Sequence, residues 1–86
     1  MEDTVKVLKA LSNDTRLQIV QILSKQPLCV NALAHRLDMS QPAMSQHLKV
    51  LENAGLVKGD KRGYWVHYSL VTENLQKCAA FIQDLT

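Results

Sequence analysis

The sequence predicts a mainly α fold closed by a small β-hairpin, in the order helix, helix, helix, helix, strand, strand, helix. Three observations carry this. Apolar residues recur at helical spacing through residues 4–54, the periodicity changes to two between residues 56 and 70, and helical spacing returns from Glu73. Capping residues stand at the changes of pattern, with Asn13 and Ser40 before helices and Gly55 after one.

The elements follow in order. The first helix covers residues 4–11, with Thr4, Val7, Leu8 and Leu11 on one face and Lys6 and Lys9 turned away. Ser12 and Asn13 break the pattern, and either serves as an N-cap. Asp14 then places a carboxylate in the next first turn, where the helix dipole favours it. The second helix runs over residues 14–24. Leu17, Val20 and Leu23 are spaced by three, and Ile19 and Ile22 widen the stripe, so this helix is expected at the centre of the core. Pro27 ends the region.

The third helix, residues 30–37, carries Val30, Leu33, Ala34 and Leu37 on one face. Asp38 and Met39 make a short turn, in which Asp tolerates a left-handed backbone better than most residues. Ser40 is the N-cap of a fourth helix that accepts Pro42 in its first turn and runs to residue 54. Residues 56–60 form a strand, Lys61-Arg62-Gly63 a turn, and residues 64–70 a second strand. Tyr64, Val66, Tyr68 and Leu70 share one face of it, and Trp65, His67 and Ser69 the other. A last helix over residues 73–85 presents Leu75, Cys78, Ala79, Ile82 and Leu85. The third and fourth helices form a helix-turn-helix, and the hairpin directly after it is a wing.

Length and composition exclude several classes of function. Eighty-six residues make one domain, 1–86. A chain of this size buries only roughly 60% of its unfolded surface, so a lone copy would be marginal. Apolar residues make up 47% of the chain, which suits a globular and not a disordered protein. No apolar run approaches the roughly 18 residues of a membrane span, and no membrane partner is expected. Met1-Glu2-Asp3-Thr4 lacks the basic region that opens a signal peptide, so a cytoplasmic location is expected.

Cys29 and Cys78 lie far apart with no Cys-x-x-Cys, and His35, His47 and His67 do not cluster. Neither a disulfide scaffold nor a structural metal site is expected, and no cofactor. No nucleophile–base motif and no glycine-rich phosphate loop is present, so no enzyme activity and no catalytic residue is expected.

The fourth helix carries the functional signal. At about 100° per residue, Met44, Leu48 and Leu51 fall within about 60° of one another and make its buried face. Pro42, Ser45, Gln46, Lys49 and Asn53 fall together on the opposite side. A small, polar, mostly uncharged surface suits the major groove of double-stranded DNA. Ser and Gln meet base edges, and Gln pairs bidentately with adenine. Free N–H groups near Ser40 and Gln41 suit a phosphate. His47 lies on the flank of this face, where a phosphate contact is the expected role. Lys61 and Arg62 bring positive charge to the wing, the one to neutralise a phosphate and the other to enter a minor groove. Of the net charge of +2, all lies within residues 41–70, where Lys49, Lys58, Lys61 and Arg62 face Glu52 and Asp60.

Four stretches carry a family resemblance. Residues 10–20 (ALSNDTRLQIV), 37–51 (LDMSQPAMSQHLKVL), 54–57 (AGLV) and 63–70 (GYWVHYSL) resemble the ArsR/SmtB family of bacterial winged-helix repressors, in the right order over nearly the whole chain. The resemblance implies a homodimer that binds an imperfect palindrome in a promoter and releases it when an effector binds. By the same resemblance Gln41, Ser45, Gln46 and His47 match recognition-helix positions, and Lys61 and Arg62 match the wing tip. The first and last helices would form the dimer interface. Two recognition helices about 34 Å apart would then read successive major grooves.

The effector is where the sequence departs from that pattern. Leu28-Cys29-Val30-Asn31 resembles the family's metalloid-binding Cys-Val-Cys segment, with Asn31 in place of the second cysteine. One thiolate does not make the site of two or three sulfurs that a soft metalloid needs. The last helix has Glu73, Cys78 and Asp84 but no His for the family's other common metal site. Cys29 and Cys78 stand as inert residues, as a thiol sensor or as metalloid ligands. The effector is unknown at this level. A winged-helix module that contacts proteins through Trp65 instead of DNA is the competing reading.

Overall fold

The computed structural model describes residues 2–86; Met1, the first residue of the expected 1–86 domain, lies outside the described residues. The elements are α1 (Glu2–Leu11), α2 (Asp14–Leu23), β1 (Leu28–Cys29), α3 (Val30–Arg36), α4 (Gln41–Asn53), β2 (Val57–Arg62), β3 (Trp65–Leu70) and α5 (Glu73–Asp84). This is the expected mainly α, winged helix-turn-helix order with one addition. β1 pairs antiparallel with β3, Leu28 opposite Tyr68 and Cys29 opposite His67, so the sheet has three strands in the order β1-β3-β2. Two residues are too few to show a period of two, and that is why the strand leaves no mark in the sequence.

The helix boundaries follow from local chemistry. Asn13 opens α2 by accepting the Arg16 backbone N–H at Oδ1, at 3.0 Å. Ser40 does the same for α4 with the N–H of Ala43, at 3.2 Å. The two helices of the helix-turn-helix end in the same way. After α3 the N–H of Asp38 bonds to the carbonyl of His35, and that of Met39 to Ala34. After α4 the N–H of Gly55 bonds to Glu52, and that of Leu56 to Leu51. Each is a Schellman motif, which needs a left-handed residue one position past the cap. Asp38 supplies it at φ +52° and Gly55 at φ +72°. The apolar contact that accompanies the motif is present after α4, where Leu51 and Leu56 are both fully buried.

The core is built from Val7, Ala10, Ile19, Leu23, Leu33, Met44, Leu48, Leu51, Leu56 and Val57, with Cys78 at its edge. In α2 the buried pair is Ile19 and Leu23, and Leu17 is 48% exposed. The expected Leu17–Val20–Leu23 stripe is thus rotated. A helix apolar around much of its circumference has no unique face by pattern, and packing against α1 and α4 selects Ile19 and Leu23. The hairpin turn also moves. Lys61 and Arg62 are the last residues of β2, Arg62 pairs with Trp65, and the turn is Gly63-Tyr64. Gly63 takes φ +65° at the first central position, as a type II′ hairpin turn requires. Tyr64 therefore leaves the strand face assigned to it and stands 98% exposed at the tip.

Val66, Tyr68 and Leu70 keep their common face, and Tyr68 and Leu70 pack on the core. Burial pushes the Tyr68 phenol above its usual value of 10.0, and the Glu52 carboxylate of α4 adds to the rise. The base of the wing is tied to the helices by Val71 N–H to Leu56 carbonyl, at 2.8 Å, and by Asn74 Nδ2 to Gly55 carbonyl, at 3.1 Å.

The two Schellman positions give opposite expectations in urea unfolding. Gly55→Ala is expected to destabilise the chain by about 1–2 kcal/mol or more, because a Cβ there adopts an unfavourable φ and meets the Asn74 side chain. Asp38→Gly relieves a left-handed L-residue and is expected to stabilise by about 0.5–1 kcal/mol.

Candidate nucleic-acid interface

α4 displays the two faces its sequence implies. Met44, Leu48 and Leu51 are fully buried, while Gln41, Pro42, Ser45, Gln46, Lys49 and Asn53 are exposed. Ser40 is exposed at the N-terminus of α4, where its hydroxyl is already engaged with Ala43 N–H. Pro42 in the first turn lacks the N–H that would have had no helical partner, so it costs the helix nothing there. The helix is seated by its buried apolar face, by Ser40 at its first turn and by the Gly55 motif at its last. The polar face is left for a partner.

The wing carries its charge on the strand and not in the turn. Lys61 and Arg62 are both exposed, and they alternate to opposite faces of β2. Arg62 Nε lies 3.6 Å from Asp60 Oδ2, with both side chains about two-thirds exposed. Such a pair is worth about 0–1 kcal/mol, so little holds the guanidinium in place. Beyond them the tip is a bare Tyr64, and Trp65 is half exposed opposite Arg62. Close approach sets the inner side of the wing. A Cβ on Gly59 would come within 3.0 Å of the Tyr68 ring and 3.1 Å of Val66.

His47 is half-buried on the flank of α4, as its position on the helical wheel implies, but it is not free. Its Nδ1 lies 3.3 Å from Nη1 of Arg16 on α2. Arg16 was not among the expected site residues. The signal for it was local: a cation in the first turn of a helix opposes the dipole, so it needs another reason to be there. That reason is the neighbouring helix end, where Arg16 Nε donates to the carbonyl of Ala10 at 2.6 Å.

Apart from Val50 on α4, 39% exposed, the remaining apolar exposure gathers on the helices at the two ends of the chain. α1 packs against α5, and together they leave Val5, Leu8, Ile82 and Leu85 in solvent. Only Cys78 of the expected α5 stripe is buried in the single chain, at 3% exposure. Cys29 is half-buried, opposite His67 across the sheet. Among the described residues no three His, Cys, Asp or Glu side chains gather as a metal-holding group. None of the described helices is long and apolar enough to cross a membrane.

Comparison with known proteins gives a consistent set of relatives. A family model described as "Bacterial regulatory protein, arsR family" matches residues 13–58, from the N-cap of α2 into β2. The arsenical resistance operon repressor of Escherichia coli is 46% identical over 67 residues, which cover 77% of this chain and 57% of that one. A solved structure of HlyU from Vibrio cholerae superposes with a TM-score of 0.82 at 37% identity, covering 98% of this chain and 91% of that one. The homodimeric winged helix-turn-helix DNA-binding domain Mb0332 of Mycobacterium bovis superposes with a TM-score of 0.82 at 30% identity, covering 98% and 78%. The chain spans only 57–63% of the length of three curated relatives it matches.

The different burial of the two thiols is directly measurable. In a native-state titration with a chromogenic disulfide reagent, Cys29 is expected to react first, and Cys78 only as the chain unfolds. Equal, rapid reaction of both would show that the α5 packing around Cys78 opens readily.

Proposed function

Because the chain belongs to the ArsR family of bacterial regulatory proteins, we propose that it is a sequence-specific DNA-binding regulator of transcription, acting as a homodimer on a palindromic promoter site in the cytoplasm. The observation that carries this reading is α4, a helix whose apolar side is fully buried and whose opposite side offers Gln41, Ser45, Gln46 and Lys49 to solvent. Gln46 and Ser45 are the base-reading candidates, because their side chains both donate and accept at groove edges. Gln41, Lys49 and the N-terminal turn around Ser40 and Pro42 are backbone contacts that set register. Lys61 and Arg62 hold the wing against the phosphates of the adjacent groove.

The dimer is supported by Val5, Leu8 and Ile82, exposed apolar residues on two helices that pack side by side, and by Leu85 at the C-cap of α5. Pairing this surface with its copy would remove it from water and fix the spacing of the two α4 helices. Occupancy of a promoter by such a rigid dimer represses by occlusion. An effector that shifts α1 or α5 would change the spacing and release the DNA. Relatives named for arsenical and cadmium resistance suggest what an effector looks like elsewhere in the family. Here Cys29 has Asn31 as its neighbour two positions on, and a single thiolate is a poor metalloid site. The cysteines are read as structural, with a thiol response through Cys29 as the alternative.

Fluorescence anisotropy tests the proposal with a duplex taken from upstream of the chain's own coding region and a scrambled control. Gln46→Ala is expected to cost about 1–3 kcal/mol on the specific duplex and little on the scrambled one. Arg62→Ala is expected to weaken both duplexes similarly and to reduce the salt slope by about one. Equal losses on the two duplexes for Gln46→Ala would remove α4 from base reading.

A further inference from the structure

One side chain joins three helices next to the polar face of α4. Arg16 stands in the first turn of α2, with its backbone N–H held by Asn13. Its Nε donates to the Ala10 carbonyl in the last turn of α1, and its Nη1 meets Nδ1 of His47 on α4. The chemistry of the second contact is asymmetric. A guanidinium offers five N–H donors and no acceptor, and it stays charged at every accessible pH. The atom that faces Nη1 must therefore accept. In a neutral ring that places the lone pair on Nδ1 and the proton on Nε2.

We propose that Arg16 is a positioning residue that holds His47 in the Nε2–H tautomer and thereby makes it a fixed hydrogen-bond donor to a DNA phosphate. The proposal rests on the reading of α4 as the recognition helix. A phosphate is the fitting acceptor, for two reasons. His47 lies on the flank of α4, half-buried between the fully buried Leu48 and the exposed Gln46. A flank faces the sugar-phosphate strand, while Ser45 and Gln46 face the groove floor. A phosphate oxygen also has only acceptor character, and so complements a ring whose second nitrogen is an N–H. The Ala10 contact adds a consequence. The end of α1 is a fixed point for the same guanidinium, so a displacement of α1 moves the group that orients His47.

The test has one arm without DNA and one with it. Long-range 15N–1H correlation spectra of the imidazole rings are recorded on the full chain at about pH 8, above the ordinary imidazole range. The His47 signals are assigned by their loss in His47→Gln. In the unmutated chain Nδ1 is expected at the shift of an unprotonated ring nitrogen, and Nε2 at that of a protonated one. In Arg16→Met the two shifts are expected to move towards each other as the tautomers mix. A proton on Nδ1 in the unmutated chain, or identical ring shifts in Arg16→Met, would overturn the proposal.

In the DNA arm, Arg16→Met and His47→Gln are each expected to weaken the specific duplex about tenfold, the size of one hydrogen bond to a charged acceptor. The double variant is expected to lose no more than either single one, because the two residues act as a unit. Losses that multiply in the double variant would overturn the link. Arg16→Lys guards against simple misfolding, since it keeps a cation at the end of α1 without the rigid fork that spans both partners. It is expected to melt close to the unmutated chain and still to show mixed ring shifts. If the unmutated chain prefers no duplex, the reading of α4 itself fails, and the ring spectra tell that failure from a failure of the Arg16 link.

Discussion

The burial of Met44, Leu48 and Leu51 along one side of α4 is the constraint on which the rest of the structure depends. Three side chains at helical spacing lose all contact with water, and each such burial contributes about 1.5–3 kcal/mol of hydrophobic stabilisation. Once that face is committed, rotation about the helix axis is no longer available. The polar residues opposite are then fixed in direction by the core and not by one another. Capping completes the constraint, with Ser40 holding the first turn and the Gly55 motif closing the last. A helix that reads a groove needs this arrangement, because hydrogen bonds to base edges discriminate only when the donors arrive at set positions.

Around that helix the structure spends very little charge. The wing pair Arg62–Asp60 is exposed and weak, and no charged or polar residue is buried among the described residues. The core is apolar and holds no ion pair for salt to screen, whereas phosphate contacts weaken as salt rises. Salt is therefore expected to act on association without loosening the fold. The small net charge of +2 arises on the wing, where Lys58, Lys61 and Arg62 outweigh Asp60 while Lys49 and Glu52 cancel on α4, and this gives the surface a direction despite a nearly balanced composition.

Much of this was legible in the sequence, and the parts that were not share a physical character. Asn13, Ser40, Asp38 and Gly55 act within a few residues of their own position, and each does in the structure what its chemistry implies. The two faces of α4 were legible because one apolar stripe and one polar stripe differ sharply. In α2 they do not differ, and Leu17 could not be told from Ile19 until neighbouring helices chose. β1 was invisible because its two residues gain their pairing from β3, nearly forty positions later in the chain. The turn is Gly63-Tyr64 and not Lys61-Arg62-Gly63 because Gly63 could end a three-residue turn or begin a two-residue one, and the pairing of Arg62 with Trp65 selects the second. Arg16 and His47 meet across 31 positions, and no periodicity encodes such a contact.

The most direct test of the account is a map of which backbone amides respond when DNA arrives. Amide 15N–1H spectra of the full chain would be followed during titration with the duplex from upstream of its coding region. The account predicts saturable changes concentrated in residues 40–49 and 61–65, with Leu33 and Leu23 in the core little affected. Saturable changes confined to α1 and α5, or none at all on α4, would contradict it.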